Sequence, residues 1–298
     1  MGYVDLHRSG ELSRRADALE ALLEPCRVCP RACMARRLSG ERGQCGAGSR
    51  IEISGYGPHF GEEPPLVGRG GSGTIFFAFC SLYCVYCQNY ETSRGLDCYQ
   101  ISCDELAAIM VELQRRGCEN INLVTPTHFV PQIVRALDKA ASLGLTVPIV
   151  YNSSGYEALS TLRLLDGVVD IYLPDVKYAD EGVAMAFSRV QNYPSVAKAA
   201  LKEMYRQVGD LAVDEQGVAK RGLLVRHLVL PGNLAGTEEV MRFIASEVSA
   251  SCWINIMDQY YPTYMACRYP ELNRKITSQE HQRALAAARR ASAKFRIV

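Results

Sequence analysis

The feature that most constrains the fold is an alternation, from residue 74 onward, of short apolar runs with segments of helical periodicity. The runs that predict strands are TIFFAF, NINLVT, VPIVYN, VVDIYLPD, LLVRHLVLPG and CWINIMDQ. Repeated strand–helix units of this kind form a parallel sheet with right-handed crossovers. Because there are six units instead of the eight of a closed barrel, the sequence predicts an α/β fold with an incompletely closed barrel.

The stretch before this alternation has a different composition. Residues 51–73, IEISGYGPHFGEEPPLVGRGGSG, are rich in Gly and Pro and predict an irregular linker or a short hairpin. We therefore expect a cysteine-rich extension with its linker over residues 1–73, and the partial barrel with a C-terminal helix over residues 74–298. Within the barrel, DEQG predicts a hairpin turn before the fifth strand.

Charge and hydropathy exclude several classes of protein. The formal net charge is only +1 over 298 residues, so the strongly basic surface of a nucleic-acid binder is not expected. No apolar run reaches the roughly 18 residues of a membrane span, and MGYVDLHRSGELSRR lacks the apolar core of a signal peptide. We expect a cytoplasmic protein without a nucleic-acid or membrane partner. In that reducing compartment, the twelve cysteines favour metal or redox chemistry over disulfides.

Three cysteines lie on one short loop after the first predicted strand. Cys80, Cys84 and Cys87 have the spacing C-x3-C-x2-C within FCSLYCVYCQNYE. Three thiolates on a tight loop would leave one iron of a four-iron cluster without a protein ligand, which invites a substrate or cofactor. Zinc is the alternative, but structural zinc closes its shell with four ligands and this loop offers three. The spacing therefore favours an iron–sulfur cluster.

CSLYCVYC resembles the cluster loop of the radical S-adenosylmethionine enzymes, and CVYCQN, with Asn89, resembles the C-x-x-C-x-N of the glycyl-radical-enzyme activases. The resemblance implies a partial (β/α)6 barrel, a [4Fe-4S] cluster, and reductive cleavage of S-adenosylmethionine to a 5′-deoxyadenosyl radical. That radical would abstract hydrogen from a protein glycine, another peptide or a small molecule. The resemblance also implies an external electron donor such as flavodoxin or ferredoxin. The alternative is a cysteine-rich metal-binding or electron-carrier protein that does not cleave the cofactor.

Two further segments resemble those of the activases. LPDVK is similar to their acidic-x-Lys segment, and VRHLVLPG to their fifth-strand segment with an Arg and a Pro-Gly turn. This implies that Lys177 and Arg226 contact the methionine carboxylate, and that Asp175 binds there through a monovalent cation. Surface ion pairs at strand ends are the alternative.

Two segments depart from the family pattern. LVTPTHF stands where the superfamily has a Gly-Gly-Glu-like segment that binds the cofactor's amino group, and there Thr125 and Thr127 offer hydroxyl acceptors. His128 is either a satisfied core histidine or a cofactor or substrate contact. YNSSG replaces the activases' Asp-Thr-Asn-Gly segment, which leaves Asn152 and Ser153 as candidate cofactor contacts.

A second group of cysteines lies near the N-terminus, in CRVCPRACMARRLSGERGQCG. Its members are Cys26, Cys29, Cys33 and Cys45. Four potential ligands so close together predict a zinc knuckle or a second iron–sulfur cluster, with unmetallated thiols as the alternative. Together with NLVTPTHFVPQI and QYYPTYMA, this segment resembles an activase-like branch of radical proteins. The five other cysteines have no ligand spacing, and we expect them to pack as small apolar groups.

Overall fold

A single mostly parallel sheet of ten strands runs through the computed structural model, which describes residues 2–298. The strands in chain order are β1 (Ile51–His59), β2 (Ser72–Phe77), β3 (Tyr99–Ile101), β4 (Ile121–Val124), β5 (Ile149–Ser153), β6 (Ile171–Pro174), β7 (Ala212–Val213), β8 (Ala219–Leu228), β9 (Trp253–Met257) and β10 (Arg296–Ile297).

The α-helices mostly connect these strands. In chain order they are α1 (Tyr3–Arg8), α2 (Glu11–Glu20), α3 (Pro64–Val67), α4 (Tyr90–Arg94), α5 (Cys103–Arg115), α6 (Val130–Ser142), α7 (Leu159–Leu164), α8 (Glu181–Ser188), α9 (Tyr193–Val208), α10 (Thr237–Phe243) and α11 (Ser278–Ala291). Local chemistry sets some of their ends. At the start of α5 the hydroxyl of Ser102 accepts the N–H of Glu105 at 3.1 Å, and the carboxylate of Glu105 accepts the N–H of Ser102 at 2.7 Å.

The strand order is β10-β9-β8-β6-β5-β4-β2-β1-β3, with β7 paired to β8. The six predicted strands are confirmed as β2, β4, β5, β6, β8 and β9, and they are mutually parallel. The predicted DEQG turn is also confirmed, since β7 and β8 pair antiparallel across it. The sheet is open, with β3 and β10 at its edges. The expected α/β fold with a mostly parallel sheet is therefore present.

Of the two alternatives predicted for residues 51–73, an irregular linker or a short hairpin, the structure of residues 51–59 agrees with the second. These residues form β1, which pairs antiparallel with β2 from Ile53 to His59. On its other side β1 pairs with β3 only from Ile51 to Ile53. Pro58 therefore lies where β1 has a neighbour on one side alone, the situation in which a strand tolerates proline. The division of the chain at residue 73 stays a prediction.

The two faces of the sheet are covered differently. One face packs against the helices in a large apolar core that includes Leu12 of α2, Leu106 of α5 and Ile133 of α6. The opposite face packs against the chain's own segment between β1 and β2, whose Leu66 is fully buried against Val150 and neighbouring strand residues. Part of that face is therefore covered by the chain itself. Within residues 2–298 no helix combines the length and apolarity of a membrane span.

Candidate functional site

The three-cysteine loop begins where β2 ends, at the carboxyl edge of the parallel strands. The N–H of Ala78 donates to the carbonyl of Glu52 at 2.9 Å, and that of Phe79 to the carbonyl of Thr92 at 2.9 Å. Phe79 has a φ of 69°, so the chain turns sharply here. Its ring fills the space beside Gly95, where a Cβ would lie 2.3 Å from the ring. The carboxyl edge is where parallel α/β sheets hold their ligands.

The loop is fastened to the end of α8. The N–H of Tyr83 donates to the carbonyl of Ser188 at 3.1 Å, and that of Val85 to the carbonyl of Phe187 at 2.8 Å. The guanidinium of Arg94 donates to the carbonyl of Leu82 at 2.9 Å. These bonds fix the backbone on both sides of Cys84.

Each thiol of the loop lies beside a hydrogen-bond donor. The sulfur of Cys80 accepts the N–H of Leu82 at 3.3 Å, that of Cys84 lies 3.0 Å from the hydroxyl of Ser188, and that of Cys87 lies 3.4 Å from the hydroxyl of Ser93. Burial raises the pKa of Cys80 to about 12 and also raises that of Cys84. Across residues 2–298 no three His, Cys, Asp or Glu side chains are gathered closely enough to hold a metal ion.

Buried phenols surround this loop. The hydroxyl of Tyr178 lies 2.7 Å from that of Ser188 and 2.5 Å from that of Tyr86. Burial raises the pKa of Tyr86 and of Tyr178 well above its ordinary value. Both phenols therefore remain protonated.

The rim beside the loop carries an ion pair. The ammonium of Lys177 donates to the carboxylate of Asp175 at 2.7 Å, and both side chains are largely buried. Burial acts to lower the pKa of Lys177, but the charges of Asp175 and Cys84 outweigh it, and the pKa ends well above its ordinary value. The structure therefore places a permanent positive charge next to the cysteine loop.

Arg226 lies on the neighbouring strand end, where it pairs with Asp175 in a parallel bridge. Its Nε donates to Glu63 at 2.6 Å and its Nη2 donates to Glu63 at 2.7 Å and to Glu62. Burial acts to raise the pKa of Glu63, but the hydrogen bond and charge of Arg226 bring it below its ordinary value. Asn255 also donates to Glu63 at 2.8 Å. This acidic pair is not predicted by the sequence. Its two glutamates stand in EEPP, inside a segment whose composition predicts a linker or a short hairpin and not a site.

Thr127 and Ser153 lie beside the buried carboxyl of Glu157, which the sequence also did not predict. The hydroxyl of Thr127 donates to Glu157 at 2.7 Å, and that of Tyr151 donates to it at 3.0 Å. Glu157 is 1% exposed, and burial raises its pKa to about 7 against the opposing hydrogen bonds of Thr127, Tyr151 and Ser153. Its local signal is weak, because a glutamate before a helix usually lies in solvent.

The other predicted contacts are spread along the same edge. Thr125 follows β4 with a φ of 59°, and its N–H donates to the carbonyl of Asn152 at 2.8 Å. Asn152 is buried on β5, whereas Asn89 is exposed at the start of α4. His128 is buried, and burial lowers its pKa to about 3, so its neutral ring donates from Nε2 to the carbonyl of Ala78 at 2.7 Å.

A buried cation lies beside one of the N-terminal cysteines. Cys33 and Cys45 flank Gly43, where a Cβ would lie 3.5 Å and 3.3 Å from their sulfurs. Arg37 is fully buried, and its guanidinium donates to the carbonyls of Gly48 at 3.0 Å and His128 at 2.8 Å, with the sulfur of Cys26 at 3.9 Å.

The N-terminal segment also contacts the three-cysteine loop. The guanidinium of Arg31 donates to the carbonyls of Ser81 and Arg189, the latter at 3.0 Å, and lies 5.0 Å from the ring centre of Tyr83. The two groups of cysteines are thus joined by direct contacts.

Comparison with known proteins decides the family. The sequence model of the Radical SAM superfamily matches residues 74–244, which hold the cysteine loop and the strands that carry its neighbours. The chain belongs to the radical SAM superfamily. Membership implies a [4Fe-4S] cluster and S-adenosylmethionine as cofactors.

The chain is also similar to several individual proteins. An uncharacterized protein of Methanocaldococcus jannaschii, MJ0674, is 32% identical over 290 residues, which cover 93% of this chain and 78% of the relative. A radical SAM methyltransferase from Sphaerobacter thermophilus shares the fold with a TM-score of 0.51 at 15% identity, over 76% of this chain and 65% of that chain. Streptococcus suis SuiB, solved with its precursor peptide SuiA, has a TM-score of 0.49 at 12% identity over 74% of this chain and 46% of that chain.

The loop of this radical SAM protein suits the implied cluster chemically. Cluster irons are held by cysteine thiolates, and hydrogen bonds to the sulfurs tune such clusters. Cys80, Cys84 and Cys87 supply three thiols on one loop, and each sulfur lies within reach of an N–H or O–H group. The donor set therefore fits a cluster with one iron left for the cofactor.

Proposed function

We propose that this protein is an activase-like radical SAM enzyme that reductively cleaves S-adenosylmethionine and abstracts hydrogen from a peptide or protein, with a glycine as the preferred target. The observation that carries the proposal is the convergence of the cysteine loop and the Asp175–Lys177 pair on one rim: Tyr178, the residue after Lys177, lies 2.7 Å from the hydroxyl of Ser188, which lies 3.0 Å from the sulfur of Cys84. A cofactor with one end on the cluster and a carboxylate beside it needs this combination.

When bound, the cluster and S-adenosylmethionine supply a 5′-deoxyadenosyl radical and methionine for each electron received. Cys80, Cys84 and Cys87 hold the cluster. Lys177 and Arg226 are the proposed partners of the methionine carboxylate, since a charge-assisted hydrogen bond is the strongest contact such a group can make.

The remaining proposed contacts line the same edge. Asp175 orients Lys177 through their 2.7 Å bond and offers an oxygen to a monovalent cation. The side chains of Asn89, Thr125, Thr127, Asn152 and Ser153 complete the proposed set. Thr127 already donates to Glu157, so the cofactor's amino group would rely more on backbone carbonyls of this edge than on that hydroxyl.

The packing of the segment between β1 and β2 against one face of the sheet supports a peptide substrate. Leu66 packs into the apolar cluster on that face, and Glu63 bonds there with Arg226 and Asn255. Leu66 and Glu63 thus occupy part of that face, and an extended peptide would lie across the rim instead. Electrons would come from flavodoxin or ferredoxin at the end of the loop, where Cys87 is half-buried and Asn89 exposed.

The N-terminal cysteines are proposed to hold a second metal, zinc or an iron–sulfur cluster, which would draw together thiols that the structure of residues 2–298 does not gather around one point. Arg37 supports this, because a guanidinium stays charged when buried and needs a counter-charge. Across residues 2–298 no carboxylate lies within salt-bridge distance of Arg37, and the sulfur of Cys26 lies 3.9 Å from it. A centre with four thiolates from Cys26, Cys29, Cys33 and Cys45 carries the negative charge that Arg37 lacks.

The experiment follows hydrogen from substrate to product. The anaerobically reconstituted, reduced protein is incubated with S-adenosylmethionine and with glycine-containing peptides or partner proteins deuterated at the glycine Cα. Deuterium in the 5′-deoxyadenosine, measured by mass spectrometry, supports the proposal. Product that carries deuterium from a labelled small molecule and never from a polypeptide would contradict the peptide assignment.

The alternative, a metal-binding or electron-carrier protein without cofactor cleavage, has one observation in its favour. The hydroxyl of Thr127, in the segment that replaces Gly-Gly-Glu, is already bound to Glu157. Such a protein would take up and pass on electrons but form no 5′-deoxyadenosine under the same conditions, which distinguishes the two.

A further inference from the structure

We propose that Ser188 is a positioning residue that donates a hydrogen bond to the sulfur of Cys84, as the last link of a buried hydroxyl chain from Tyr86 through Tyr178, and that this chain raises the reduction potential of the cluster. The inference rests on the proposed ligation of the cluster by Cys84. It does not depend on which substrate the enzyme uses.

The chain is continuous in the structure. The hydroxyl of Tyr86 lies 2.5 Å from that of Tyr178, which lies 2.7 Å from the hydroxyl of Ser188, which lies 3.0 Å from the sulfur of Cys84. Ser188 is 0% exposed, Tyr178 1% and Tyr86 4%, so bulk water does not compete for these bonds. Buried hydrogen-bond chains of this kind strengthen each member.

The backbone holds the last link in place. The N–H groups of Tyr83 and Val85, on either side of Cys84, donate to the carbonyls of Ser188 and Phe187 at 3.1 Å and 2.8 Å. The loop and the end of α8 therefore move as one unit. These backbone bonds fix the position of Ser188 relative to Cys84, so only the side-chain rotamer of each residue remains to set the distance between hydroxyl and sulfur.

Ligation would give the chain one direction. Between a thiol and a hydroxyl either atom can donate, but a thiolate ligand has no proton and can only accept. Each hydroxyl has a single proton, so Ser188 must donate to Cys84 and accept from Tyr178, which in turn accepts from Tyr86. The three hydroxyl dipoles then all point their positive ends toward the sulfur.

This arrangement favours the reduced cluster. Reduction adds negative charge that is shared with the ligand sulfurs, and a hydrogen bond to sulfur stabilises that charge. Cofactor cleavage needs an electron from the reduced cluster, so the chain would make that electron easier to load from a biological donor. Cys87 offers an internal contrast, since Ser93 lies 3.4 Å from its sulfur and is also 3.4 Å from the carbonyl of Tyr90.

The test is a potentiometric titration of the full-length protein, following the electron paramagnetic resonance signal that changes when S-adenosylmethionine is added. That response assigns the signal to the three-cysteine cluster and not to an N-terminal centre. We expect Ser188→Ala to lower the equilibrium constant for reduction about tenfold, or about 59 mV for a one-electron couple. Tyr178→Phe should give a smaller shift in the same direction, Ser93→Ala a smaller one still, and Ser188→Thr should match the parent.

The outcomes distinguish an effect of the hydroxyl chain on the reduction potential from a merely structural role of Ser188. A Ser188→Ala protein that carries the parental iron content at the parental potential would overturn the proposal. If Ser188→Ala cannot hold the cluster, Tyr178→Phe decides, because it keeps Ser188 and should still lower the potential; a parental value there would also overturn it. A parent protein without any cofactor-responsive signal would instead refute the ligation by Cys84 on which the inference rests.

Discussion

The two groups of cysteines differ in what holds them. Cys80, Cys84 and Cys87 share one loop that is fixed by a strand end and by α8, and each sulfur has a nearby N–H or O–H donor. The N-terminal thiols come from a segment whose turns include positive φ angles at Ala32 and Met34, and their charged neighbour is the buried Arg37. One group is organised by the sheet and hydrogen bonds, and the other by turns around a buried cation. The first should therefore control chemistry, and the second local folding.

The largest expected effect is the loss of the cluster signal when a loop cysteine is replaced, compared with a cysteine outside both groups. Cys84→Ala should remove the cofactor-responsive cluster signal completely, because two thiolates cannot hold a cluster that needs three. Cys103→Ala is the matched control, since its half-buried thiol packs against the core and donates to the carbonyl of Gln132 at 3.6 Å, away from the loop. Electron paramagnetic resonance of the reduced proteins checks this, and a parental signal in Cys84→Ala would contradict the ligand assignment.

The N-terminal group should bind metal independently of the loop. A variant with Cys80, Cys84 and Cys87 all changed to Ala should still contain zinc or iron by elemental analysis. Adding Cys29→Ala and Cys33→Ala should remove that metal and increase hydrogen exchange before residue 73, while the barrel stays protected, because metal binding and folding are coupled in small cysteine sites. A folded triple variant that contains neither metal would mean that the four thiols are simply reduced.

The sequence predicted those features that depend on the periodicity of apolar residues and on the order of the strands. The six parallel strands follow from short apolar runs, and the proximity of Asp175 to Arg226 follows from two adjacent strand ends. It could not predict the bond between Glu63 and Arg226, because those residues are 163 positions apart and no local pattern joins them. The burial of Arg37 escaped for the same reason. The sequence left a linker and a short hairpin open for residues 51–73, and it did not predict the nine-residue length of β1 because the Gly and Pro residues there have the composition of a loop.

The two cations of the rim, Lys177 and Arg226, should contribute unequally to the binding of S-adenosylmethionine. Lys177→Ala should weaken S-adenosylmethionine binding by about ten- to a hundredfold, the loss of one charge-assisted hydrogen bond. Arg226→Ala should weaken it less, since Nε and Nη2 already bind Glu62 and Glu63. Equilibrium binding to the reconstituted proteins measures both, with exposed Lys294→Ala as control. Unchanged affinity in both rim variants would reject these contacts.

Arg226→Ala should instead affect stability. Removing it leaves Glu62 and Glu63 buried without their cation, which costs about 3 to 5 kcal/mol in comparable buried pairs. Denaturant unfolding of the two rim variants checks this: Arg226→Ala should be clearly less stable than Lys177→Ala. Equal stabilities would mean that the acidic pair is tolerated without Arg226.

A pH-dependent effect is expected at Glu157, beside the N-terminal group. Its pKa of about 7 in the fold lies above the ordinary 4.5, so between these values the folded state keeps a proton that the unfolded state has lost. Stability should fall as pH rises through this window, by about 3 kcal/mol relative to Glu157→Gln. Unfolding free energies at pH 5 and pH 8 measure the change, and exposed Glu215→Gln is the control. A constant difference between parent and Glu157→Gln would contradict the raised pKa.

The central claim is that the three-cysteine loop supports reductive cleavage of S-adenosylmethionine. The most direct measurement is the yield of 5′-deoxyadenosine from the anaerobically reconstituted parent protein with dithionite and S-adenosylmethionine, with Cys84→Ala as the blank. We predict product that depends on both reductant and Cys84. A parent protein with its full complement of iron that forms no 5′-deoxyadenosine would contradict the claim and leave an electron carrier in its place.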